Sequence, residues 1–359
     1  MRQIKKVFFL AILTLVVVAT SGCTISLGSS KSKGADGGVW KSLDGGKKWV
    51  QSVSVPTITG KPASIANVDV RRMIFDPQDS NTIYLATEAN GVIYTYDGGN
   101  NWRQFKDFRS GQIRSIAVDT KYKCTLYLLT ENKLYKSNDC GRFWKNIYFH
   151  QNQQVTLNDI SVSFDDNNVL YLATSAGEVI KSADGGQTWA TVFRPEKGTA
   201  VFVDLLIDPG DSNKIYAAST KKGIFKTSDG GSNWESLGEG LKSYTGSHDY
   251  KALISDPVTP ESLILISKYG MLRSRDGGQS WEIINLLPSS KATTIYSVAV
   301  NPKNSNEIYY STRTSLVKSI DGGQTWSSQK LPFSRVANQI IIDWENPQVV
   351  YLGALLVKD

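Results

Sequence analysis

Short apolar stretches alternating with polar positions recur along the chain, each bounded by turn residues. IFDPQDSNTIYLAT (74–87), LIDPGDSNKIYAAST (206–220), ISDPVTPESLILIS (254–267) and VNPKNSNEIYYST (300–312) share one plan. Each is an apolar strand, a polar turn rich in Asp, Pro and Asn, and a second apolar strand, around a tyrosine in most copies. VDTKYKCTLYLLT (118–130) and FDDNNVLYLAT (164–174) are looser copies. A period of two between turn signals predicts strands rather than helices. A third short strand follows, as in GIFKTS (223–228), then a turn of the form S/T-x-D-G-G-x-x-W, then a fourth strand from the tryptophan.

That turn occurs seven times, once with Cys140 in place of its first glycine, and has its aspartate at Asp44, Asp97, Asp139, Asp184, Asp229, Asp276 and Asp321. Four short strands repeated about every 45 residues predict an all-β propeller of four-stranded blades. The first turn has no strand one or two before it, and the last strand pair, NQIIIDWENPQVVYLGA (338–354), lacks a turn after it. The two ends complement each other. Residues 37–53 are therefore expected to give the outer strands of the blade whose inner strands lie in 337–354. This makes seven blades and removes two sheet edges. LLVKD (355–359) either extends that second strand or begins another.

The turn itself has a physical rationale. Glycine supplies positive φ without steric cost. The aspartate can accept bonds from the turn's own amides, and the tryptophan can cover apolar surface beside it. The seven aspartates are thus read as structural. S/T-x-D-G-G-x-x-W resembles the Asp-box, or BNR repeat, over residues 38–359. The repeat is found in sialidases, sortilin-like receptors, xyloglucan-hydrolysing enzymes and photosystem II assembly factor propellers. The resemblance implies a fold, since unrelated activities share it.

The N-terminus reads as an export signal over residues 1–22. Arg2, Lys5 and Lys6 precede an apolar run from Val7 to Val18, too short for a comfortable membrane span. Small residues then lead to Cys23, an arrangement similar to the bacterial lipoprotein lipobox. The resemblance implies lipidation of Cys23, and residues 23–37 read as a Ser/Gly/Lys-rich tether. The formal charge of +7 falls to +4 once the signal's three cations are removed. No dense basic stripe is present, so nucleic acid is not an expected partner. Export gives an oxidising setting. Cys124 and Cys140, at two turns expected at one end of the same blade, are then candidates for a disulfide. With only two histidines, His150 and His248, and no EF-hand pattern, no metal site and no cofactor are expected.

Propellers bind on the face formed by the loops into strand one and between strands two and three. Here the first set carries Arg71, Arg72, Arg114, Asp159, Asp204, Asp249, Lys251, Tyr296 and Asn338. The second adds Glu88, Glu131, Lys133, Glu178, Lys221, Lys222, Lys268 and Arg313. This is a mildly basic face suited to an acidic protein segment or a surface glycan. The photosystem II assembly propellers are similar in being exported, often lipidated, and docking through arginines. A non-catalytic binding module, monomeric and held to the membrane by its lipid, is one expectation. A glycoside hydrolase is the other, with Asp159, Asp204 and Asp249 as the carboxylates to test.

Overall fold

The computed structural model describes residues 36–58, 60, 63–195, 200–287 and 293–357. The expected export signal, Cys23 and the tether up to residue 35 lie outside the described residues. Seven four-stranded antiparallel sheets form the body. A two-stranded ribbon, Ser54–Val55 with Ala63–Ser64, and one helical turn, Gly238–Leu241, complete the regular elements among the described residues.

Blade 1 consists of Val70–Asp76, Asp79–Thr87, Val92–Thr95 and Arg103–Gln104, in that spatial order from the axis outward. The innermost strands of blades 2 to 6 are Ser115–Val118, Leu157–Val162, Phe202–Asp208, Tyr250–Ser255 and Ser297–Asn301. That of blade 7 is Val336–Ile342. Each innermost strand touches the next, and the seventh touches the first, so they close a ring. Second strands such as Leu170–Thr174 are buried on both faces, because each blade packs between two others. Fully burying such an aliphatic side chain contributes about 1.5–3 kcal/mol.

Blade 7 is assembled from both chain ends, as expected. Gly38–Ser42 pairs with Val350–Leu355 on one side, Trp40 opposite Leu352, and with Val50–Ser52 on the other. The second strand runs on through Leu355, so the start of LLVKD extends it.

The Asp-box turns follow one hydrogen-bond scheme. In blade 3, Ser182 Oγ donates to Asp184 (2.8 Å) and accepts from the Gly186 amide (2.9 Å). The same Asp184 oxygen accepts from the Gln187 and Thr188 amides at 2.9 and 2.8 Å. The Thr188 hydroxyl and amide hold the Asp184 carboxyl down at about 2, and Thr325 does the same for Asp321. The indole N–H of Trp189 donates to the Gly186 carbonyl at 3.1 Å, and Trp144, Trp234 and Trp281 repeat this contact. In blade 2, Cys140 takes the place of the first glycine and adopts its left-handed backbone, φ 59° against 64° at Gly98. Cys124 and Cys140 stand side by side, their Cα atoms 4.0 Å apart, and the Cys140 amide donates to the Cys124 carbonyl at 3.0 Å.

Successive blades are fastened by a recurring clasp. A strand-three lysine lies over a strand-two tyrosine in five blades: Lys41–Tyr351, Lys136–Tyr127, Lys181–Tyr171, Lys226–Tyr216 and Lys318–Tyr309. In blade 3 both heads reach the Gly230 carbonyl in the next blade's turn, Lys181 Nζ at 2.7 Å and Tyr171 OH at 2.9 Å. Lys41 and Tyr351 of blade 7 grip Gly98 of blade 1 at 2.8 and 3.0 Å. The seam is therefore fastened as the joint between blades 3 and 4 is.

Candidate functional site

Five innermost strands carry a β-bulge near their first residue. The register slips between Val70 and Arg72, Leu157 and Asp159, Phe202 and Asp204, Tyr250 and Ala252, and Ala337 and Gln339. A bulge inserts one unpaired residue and re-aims its side chain. The inserted residues are Arg71, Asn158, Val203, Lys251 and Asn338, and all five line one cavity of about 620 Å³. Arg114 and Tyr296 hold the same place just before the innermost strands of blades 2 and 6 and complete the ring. Seven of the nine strand-one residues expected on this face, Arg71, Arg72, Arg114, Asp204, Lys251, Tyr296 and Asn338, line this cavity together with Glu88; Asp159, Asp249 and the other seven residues of the second set do not.

Asp159 does not face the cavity. It is fully buried and accepts from Arg72 Nη1 at 2.5 Å, Ser115 Oγ at 2.6 Å and the Leu205 amide at 3.0 Å. Asp249 stands apart on the surface, 3.9 Å from Lys268, and does not line the cavity. The three carboxylates expected together for hydrolysis are therefore a contacting pair and an outlier.

Asp204 borders the cavity beside that pair, and Tyr250 OH donates to its Oδ2 at 2.5 Å. Burial, and then the negative charge of Asp159, push the Asp204 carboxyl up to about 7, against the pull of Arg72. Burial and Asp204 likewise push the Tyr250 phenol well up. Arg72, Asp159, Asp204 and Tyr250 form one network along the channel wall. Because its folded pKa is raised, Asp204 favours the fold fully below about 4, and that contribution drains away as pH rises through about 7. The expected slope is up to about 1.4 kcal/mol per pH unit. Urea midpoints at pH 5 and 7.5 should differ in wild type and converge in Asp204→Asn. An unchanged pH difference in that variant would refute the assignment.

The cations at the mouth divide into two kinds. Arg71 is paired with Glu88 at 2.8 Å, and Gln112 donates to the other oxygen of Glu88 at 2.6 Å. Arg72 belongs to Asp159. Arg114 and Lys251 make no ion pair among the described residues, and the buried Arg114 Nε has no hydrogen-bond partner. Burial lowers both, and in Arg114 repulsion from Arg71 adds to it. They project from blades 2 and 5, on opposite walls of the mouth. Glu88 stands directly after the second strand of blade 1, in the second set of loops expected on this face. A second hollow of about 760 Å³ lies along the outer edge of blade 7, between Leu43, Val50 and Ala63. None of the mouth residues borders it.

Residues 132–268 match the family described as Sortilin, neurotensin receptor 3. A stretch of 67 residues, 18% of this chain, is 40% identical to a Neosartorya fischeri protein named as an oligoxyloglucan-reducing end-specific xyloglucanase, of which it covers 8%. The GH74 xyloglucanase from Xanthomonas campestris superposes with a TM-score of 0.66 at 16% identity, over 80% of this chain. The matched region is about half of that enzyme, 51%. YCF48 bound to D1 peptide superposes with a TM-score of 0.61 at 18% identity, over 85% of this chain and 96% of the other. The chain is a seven-bladed β-propeller. Neighbours of this propeller include both a glycan-acting enzyme and a propeller solved with a peptide, so the fold alone does not select between the two chemistries. No helix among the described residues is long and apolar enough to cross a membrane.

Proposed function

We propose that this propeller is a non-catalytic docking module that receives an acidic segment of a protein partner at its channel mouth. The observation that carries this reading is the pair of unmatched cations, Arg114 and Lys251, on opposite walls of one cavity. Their field favours an anionic partner and disfavours a cationic one. The hydrolase reading has less support. A glycosidase pair needs carboxyls roughly 5–9.5 Å apart with room for sugar or water between them. Here Asp159 is sealed in the wall, and its oxygens are spent on Arg72, Ser115 and Leu205. The rest of the proposal follows the sequence: a signal in 1–22, a tether in 23–37 lipidated at Cys23, and a monomeric propeller in 38–359. The module would then work outside the cytoplasm, close to a membrane.

Affinity capture of the full-length protein from its native membranes tests the reading. One stoichiometric partner should be recovered. Arg114→Glu/Lys251→Glu should weaken its binding at least tenfold, equivalent to about 1.4 kcal/mol. Raising the salt concentration should weaken the wild-type complex in the same direction. Turnover of xyloglucan oligosaccharides that disappears in Asp204→Asn would replace docking by hydrolysis.

A further inference from the structure

Below its charged mouth the same cavity changes character. Three residues further along each innermost strand from the mouth ring stand Ile74, Ala117, Ser161, Leu206, Ile254, Ala299 and Ile341. All seven are partly exposed, although each lies well inside the ring of blades. Six are apolar. The hydroxyl of the seventh, Ser161, is turned to the Leu205 carbonyl at 2.9 Å. Leu206 and Ile254 border the cavity that also holds Arg114 and Lys251. The cavity therefore has a cationic rim and, on the side of blades 4 and 5, an apolar throat wall made by Leu206 and Ile254. Strand rise is about 3.3 Å per residue and the bulge takes up part of one step, so the two levels are separated by about 7–10 Å.

A polyanionic glycan has no group to place in such a throat. A purely acidic peptide would satisfy the rim and leave the throat wet. An extended peptide spans that distance within three residues. We infer that the docked segment is an extended peptide carrying an acidic residue and, three positions away, a large aliphatic residue. The acid sits between Arg114 and Lys251 while the aliphatic side chain enters the throat against Leu206 and Ile254. This rests on the docking function proposed above and narrows it to a sequence pattern.

The test uses the full-length protein and fluorescein-labelled peptides in a Gly/Ser background, read by fluorescence polarisation. The panel contains Asp-x-x-Leu, Asp-Leu-x-x, Asp-x-x-Ser and Ser-x-x-Leu. Asp-x-x-Leu is expected to bind about tenfold or more tighter than Asp-x-x-Ser, as full burial of a leucine side chain implies. Asp-Leu-x-x should gain little, because its leucine stops at the rim. In Ile254→Ser, the advantage of Asp-x-x-Leu over Asp-x-x-Ser should shrink. Should Asp-x-x-Leu and Asp-x-x-Ser bind equally, the throat plays no part, although docking at the rim survives. Should the acidic peptides bind no better than Ser-x-x-Leu, or none bind at millimolar concentration, the docking function falls as well.

Discussion

Arg72→Ala is expected to destabilise the propeller by about 3–5 kcal/mol at pH 8, the usual cost of stranding one partner of a buried ion pair. Asp159 is fully buried, and Arg72 is its sole ion-pair partner among the described residues. With the guanidinium gone, Asp159 is left buried without its cation, and Asp204, whose carboxyl Arg72 holds down, is pushed higher still. A carboxyl raised in the folded state contributes its stability below the unfolded pKa and loses it as pH rises. The damage from Arg72→Ala should therefore be small near pH 5 and grow toward pH 8. Urea unfolding at both values measures it. Arg72→Met/Asp159→Leu removes the pair together and should recover most of the loss, since well-packed apolar replacements are often neutral or stabilising. A cost below about 1 kcal/mol for Arg72→Ala at pH 8 would mean that the wall does not depend on this contact.

The second large effect concerns the seam. A chain beginning at residue 56 lacks Gly38–Ser42 and Val50–Ser52, the outer half of blade 7. The partners of Val39 and Trp40, which are buried in the two cores on either side of that blade, would then be exposed. The bare edge of Val350–Leu355 would also be presented to solvent. Such a chain is expected to lose its cooperative thermal transition, forfeiting stability on the scale of a whole domain, about 5–15 kcal/mol. A synthetic peptide of residues 36–55 added in trans should restore the transition. If the shortened chain melts like the intact one, the ring does not depend on its N-terminal strands.

The turns and the closure were legible because their determinants are local or lie at the chain ends. Ser182, Asp184, Gly186 and Trp189 make their contacts within eight residues, so the motif carries its own structure. The mouth was legible only in part. Its residues could be placed on one face, but not their partners: Arg72 meets Asp159 across two blades, and Arg71 meets Glu88 from the loop after the second strand. Of the three arginines placed on that face, Arg71 and Arg72 are paired and Arg114 makes no ion pair among the described residues. The bulges left no mark in residue type, since Arg71, Asn158, Val203, Lys251 and Asn338 share no chemistry. Setting the seven strand-one segments in a common column would have exposed them. The same column, followed three residues on, would have shown the apolar throat.

The way Gly38–Ser42 sits in the seam bears on how the molecule carries force. The strand is flanked on both sides, by Val50–Ser52 and by Val350–Leu355, and its lysine also grips blade 1. Ladder bonds run across an antiparallel pair, perpendicular to the strands. A pull applied at Asp36 along the strand would shear all of these bonds together instead of unzipping them one at a time. A protein held through its N-terminus would thus bear its load on the joint that closes the wheel, in the direction in which that joint yields least.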